Sequence, residues 1–130
     1  MVMVLAHESS GETRLLTEVI RDLSCDDPGA RRSALDAVMV FAWKPGWKPA
    51  EFISLGGIPP LVRSLREADE KARVQAVSAV ERLADLGAAR ELVKEGALPV
   101  LEQMAVGDRY EQLRMMAGRT VAKIRGKIKG

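Results

Sequence analysis

The chain reads as an all-α protein assembled from about three copies of one unit of roughly 40 residues. Two observations predict this. The order glycine, small residue, aliphatic, proline, aliphatic occurs at 56–61 ("GGIPPL") and returns one unit later at 96–101 ("GALPVL"). Apolar residues at i, i+4, i+8 and i+11 then mark one long helix face per unit: Ala30, Ala34, Val38 and Phe41, then Ala72, Ala76, Val80 and Leu83, then Leu113, Ala117, Val121 and Ile124.

Each unit follows from its breakers. Glycine ends a helix because the residue past the last turn often needs positive φ. Proline suits the first turn of the next helix, where its missing N–H is no loss. Gly-x-Ile-Pro is therefore a corner. A short helix enters it over about 49–55 and again over 88–95. A second helix leaves it over about 59–67 and 99–106. The second helix also has a copy near the start, where Leu16, Val19, Ile20 and Leu23 fall on Ile58, Leu61, Val62 and Leu65. The long third helix closes the unit. A small residue recurs at its middle (Ala34, Ala76, Ala117), which lets a neighbouring helix cross closely. Asp26 or Asp27 is placed to cap the helix that begins near Pro28. About eight helices and no sheet are expected.

Residues 51–85 and 91–124 resemble the armadillo repeat, and 14–44 resemble a first copy that lacks its short helix. The resemblance implies a right-handed α-solenoid, one domain over 1–130, with repeats at about 14–44, 49–86 and 88–125. HEAT-like solenoids are the near neighbour, but they use two helices per unit.

Composition agrees with close helix packing: 47% of residues are hydrophobic but only 4% aromatic. No apolar run approaches the ~20 residues of a membrane span, and "MVMVLA" lacks the features of a leader. A soluble, intracellular, cytoplasmic protein with no membrane partner is expected. The single cysteine, Cys25, forbids an internal disulfide. With one histidine (His7) and one cysteine, no zinc set can be assembled. Gly56-Gly57 is no phosphate loop, since no Lys-Ser/Thr follows. The expectation is no enzyme, no cofactor and no metal.

Function should reside on the concave surface that stacked third helices line. The armadillo resemblance implies that a protein or an extended peptide lies there. The outward stripe is Arg32, Asp36 and Val40 in the first copy, Val74, Ser78 and Arg82 in the second, and Met115, Arg119 and Lys123 in the third. Importin-alpha-like members carry Trp at the Ser78 position and Asn at the Arg82 position, a ladder suited to basic peptides. Neither ladder is present here. Arg82, Arg119 and Lys123 instead suggest an acidic ligand, as in beta-catenin-like members, although Glu81 and Asp85 lie close enough to offset part of their charge. Nucleic acid or another phosphate on the basic third repeat is the alternative. From residue 113 onward there are six basic residues and no acidic ones.

Two further expectations concern apolar residues. Trp43 continues the core face of its helix and is expected to pack. Trp47, between Gly46 and Lys48, is expected to be exposed as an interface anchor, or else to fold back over the missing first short helix. Met104, Met115, Met116 and Ile128 have no following repeat to cover them. They serve a homodimer through a repeat end, or fill the last repeat's own core. "MVMVLA" caps the first repeat in the monomeric alternative.

Overall fold

In the computed structural model, residues 2–129 are described, with side chains from residue 11 onward. Among them there are eight α-helices and no strand: α1 (Val2–Leu23), α2 (Pro28–Ala42), α3 (Ala50–Ser54), α4 (Ile58–Arg63), α5 (Glu70–Leu83), α6 (Ala89–Lys94), α7 (Ala97–Gly107) and α8 (Glu111–Lys129). A 3-10 turn, Ser64–Arg66, tightens the end of α4, and the chain kinks at Gly87 between α5 and α6.

The corner forms as its residues require. Gly56 has φ +84° and Gly96 φ +88°. After α3, the Gly57 N–H donates to the Phe52 carbonyl and the Gly56 N–H to the Ile53 carbonyl, which is the Schellman closure of a helix end. Asp27 caps α2 by accepting the Gly29 N–H at 3.2 Å, and Asp69 caps α5 by accepting the Ala72 N–H at 3.0 Å. Such caps hold otherwise unpaired first-turn N–H groups.

The core register is the one expected. Leu16, Ile20 and Leu23 of α1 are buried with Ile58, Leu61, Val62 and Leu65. Ala34, Ala76 and Ala117 are buried at the centres of α2, α5 and α8. α5 packs against both α2 and α8, so the three long helices stand side by side.

The start differs from expectation. α1 runs unbroken through "HESSGET", so a continuous helix stands where the first copy lacks a short helix and a corner. The side chains of "MVMVLA" and His7 lie outside the described residues.

The two indoles exchange roles. α2 ends at Ala42, and Trp43 already has non-helical angles (φ −99°, ψ 2°), so it leaves the core-facing phase and is 60% exposed. Trp47 is half-buried. Its ring lies 6.3 Å from Phe41 and 6.5 Å, edge-on, from Phe52. The turn that donates the Trp47 N–H to the Lys44 carbonyl carries it back onto the core, as in the fold-back alternative.

The methionines mostly fill the last repeat's own core. Met104 is buried, and Met116 and Ile128 pack against the core from half-buried positions. Only Met115 is fully out, 67% exposed.

Candidate functional site

The long helices α2, α5 and α8 bury Ala34, Ala76 and Ala117 on one side and leave the other to solvent. All nine stripe residues reach that open face. Arg32, Asp36, Val40, Met115 and Arg119 are exposed, while Val74, Ser78, Arg82 and Lys123 are half-buried. A depression of about 360 Å3 lies across the three helices, lined among others by Trp43, Ser78, Glu81, Arg82, Arg119 and Lys123.

The cations of the stripe are not equivalent. Arg119 grips Glu81 with two bonds, Nε to Oε2 at 2.9 Å and Nη2 to Oε1 at 3.0 Å. Lys123 Nζ bridges Glu81 at 3.0 Å and Asp85 at 3.1 Å. Arg82 turns the other way. Its Nε donates to the Ala42 carbonyl at 2.9 Å, and its guanidinium lies 4.1 Å from the centre of the Trp43 ring. Cation–π contact and the carbonyl bond together fix the fork. Nη1 and Nη2 of Arg82 have no partner among the described residues. The offset that Glu81 and Asp85 suggested takes a definite form: Arg119 and Lys123 are engaged by these carboxylates one repeat back, and of the three cations Arg82 alone has no carboxylate partner among the described residues. In the first copy, Asp36 accepts from Gln75, and Arg32 lies 3.8 Å from Asp69.

Sequence reading missed Trp43 as a groove residue. The signal was available: Trp43 precedes Arg82 by close to one repeat period, the offset that brings neighbouring units side by side.

The Glu81 carboxyl is held below its ordinary value. Arg119's hydrogen bonds are the main cause, with Lys123 adding and partial burial opposing. Its folded pKa therefore lies below the unfolded one. The stability it contributes is complete above about pH 4.3 and is lost as pH falls through the folded value. Melting temperatures measured from pH 6 down to pH 3 should fall less steeply for Glu81→Gln than for the parent. Parallel curves would mean that Glu81 titrates alike folded and unfolded.

No group of three or more His, Cys, Asp or Glu among the described residues is placed to hold a metal ion. No helix among them is long and apolar enough to cross a membrane.

Comparison with solved structures decides the architecture. A computationally designed armadillo repeat protein for modular peptide recognition superposes with a TM-score of 0.76 over 83% of this chain, at 24% identity. The fold is the armadillo-repeat fold. A designed armadillo repeat protein in complex with the peptide (KR)4 gives 0.75 over 84% at 23% identity, and a third designed member 0.71 over 83% at 25%. The chain spans 46% of the length of each. No protein-family model and no curated protein matches the chain.

Proposed function

We propose that this protein is a non-enzymatic binding module that holds an extended, acidic protein segment along the open face of α2, α5 and α8. The observation that carries this reading is Arg82. Its side chain is anchored at Nε, stacked on Trp43, and open at both Nη groups. A guanidinium prepared in this way suits a carboxylate, which it can meet with two parallel hydrogen bonds. The resemblance to designed proteins made for peptide recognition supports an extended segment as ligand. It does not carry over the basic peptide, because the carboxylates that would greet lysines and arginines, Glu81 and Asp85, already hold Arg119 and Lys123.

Nucleic acid ranks below protein. Of the six basic residues from 113 onward, Arg119, Lys123 and Arg125 are paired with Glu81, Asp85 and Glu102. Self-association through the last repeat also finds little support. Positions that are apolar and buried in the second unit (Val62, Leu65, Val77, Ala84) become Glu102, Ala105, Gly118 and Arg125 in the third. Two of these four are charged, and Glu102 and Arg125 pair with each other. A cytoplasmic location accompanies the proposal.

Fluorescence anisotropy with two labelled octapeptides tests it. The acidic (SE)4 should bind and (KR)4 should not. Arg82→Gln should weaken (SE)4 binding about tenfold, the scale of one charge-assisted bond pair, with the helical circular dichroism retained. Equal binding of (KR)4, or indifference to Arg82→Gln, would place the ligand elsewhere. Duplex DNA that displaces (SE)4 with a steep salt dependence would favour the phosphate alternative.

A further inference from the structure

Glu81 is an anion at the centre of a face proposed to receive anions. Its side chain is only 15% exposed, wedged between Arg119 and Lys123. Consecutive residues of α5 point in opposite directions here. Glu81 reaches forward to α8, while Arg82 reaches back to the end of α2.

The charges around the depression are Arg82, Arg119 and Lys123 against Glu81 and Asp85, three positive and two negative, or +1 net. An arriving carboxylate does not meet three free cations. It meets the open fork of Arg82, while Arg119, although its side chain is 61% exposed, already gives Nε and Nη2 to Glu81. Lys123 Nζ is shared between two resident carboxylates.

Resting on the acidic-segment reading, we infer that Glu81 is the specificity-determining residue of the groove: a resident carboxylate that occupies Arg119 and Lys123 and confines the ligand to a single carboxylate at Arg82. Two consequences follow from elementary electrostatics. A ligand with a run of acidic residues gains little over one with a single well-placed carboxylate, because of the three cations around the depression only Arg82 has no resident carboxylate to displace. Removing the Glu81 charge releases Arg119, leaves Lys123 to Asp85 alone, and deletes a negative charge from the same depression, which at a surface-like dielectric changes affinity by about an order of magnitude. Acidification is a poor way to unlock the site, since the same two cations keep Glu81 ionised below the ordinary carboxylate range.

Glu81→Gln is nearly isosteric, and its binding of (SE)4 is the direct test. Affinity should rise about tenfold over the parent. Arg119→Gln combined with Lys123→Gln should abolish the gain when added to Glu81→Gln. If the parent binds (SE)4 and Glu81→Gln binds it no more tightly, the role assigned to Glu81 is overturned. That role is equally overturned if the gain of Glu81→Gln survives the loss of Arg119 and Lys123. If neither parent nor variant binds (SE)4, the groove reading itself fails. Circular dichroism on each protein separates loss of binding from loss of fold.

Discussion

Arg73→Met should cost about 3–5 kcal/mol of folding stability, the range for removing one partner of a buried ion pair. Arg73 and Asp108 have side chains only 14% and 6% exposed. They meet through Nε to Oδ2 at 3.2 Å and Nη2 to Oδ1 at 3.5 Å. Nη1 also donates to the carbonyls of Glu67 and Ala68, both at 2.8 Å. Truncation leaves a nearly buried carboxylate without its counter-charge and two loop carbonyls without a donor. The loss is a large share of the roughly 5–15 kcal/mol that holds a domain folded. Urea denaturation of Arg73→Met gives the number directly. Adding Asp108→Asn should restore part of it, because the amide removes the stranded charge and still accepts the Tyr110 N–H that Oδ1 accepts at 3.0 Å. A loss below about 1 kcal/mol would show that water reaches Asp108 and that the pair is effectively a surface one.

The same arginine recurs in every unit. Arg31, Arg73 and Arg114 stand one repeat apart. Each sends Nη1 to a carbonyl six residues earlier: Cys25 at 2.9 Å, Glu67 at 2.8 Å and Asp108 at 2.7 Å. The first two also clasp a carboxylate of the following unit, Glu67 for Arg31 and Asp108 for Arg73. Arg114 has no such carboxylate among the described residues. These clasps cross between repeats, so they tie the units together in addition to ordering each loop. A repeat array is stable through such interfaces as much as through its single units.

Helix faces were legible in the sequence because burial follows a simple period. Ala76, Val80 and Leu83 had nowhere else to go, and Gly56 and Gly96 announced the two corners. Interactions between repeats were harder to read. Glu81 meets Arg119 and Lys123 of the next unit, which is visible only once units are laid side by side. The arginine ladder repeats the same offsets and could have been found by that alignment. The two tryptophans misled for a local reason. Extending the α2 face by one more step assumes that the helix continues, and it stops at Ala42. α1 misled in the other direction. Ser-Ser-Gly are poor helix formers, yet the backbone there is helical.

Gly57→Ala should destabilise the protein by about 1–3 kcal/mol, as overpacking a filled core does. The backbone at Gly57 gives no reason for this: φ −77° and ψ −24° are ordinary helical angles, where alanine normally gains over glycine. The obstacle is Phe52. A Cβ on Gly57 would stand 2.5 Å from both Cε1 and Cζ of that ring and 2.7 Å from Cδ1. The ring cannot step aside, for it is fully buried and Trp47 meets it edge-on. The third repeat holds the complementary solution. Ala97 occupies the glycine position one repeat on, and Leu92 stands where Phe52 would be, both fully buried. Large ring with glycine and smaller aliphatic with alanine are thus two fillings of one corner. Phe52→Leu alone should lose stability by leaving a void, but in the Gly57→Ala background it should relieve the clash. Urea denaturation of the parent, both single variants and the double variant measures the coupling, expected to be about 1 kcal/mol or more in the favourable direction. Additive losses would mean that the corner yields to accommodate the methyl, and that the pairing of Phe52 with Gly57 is incidental.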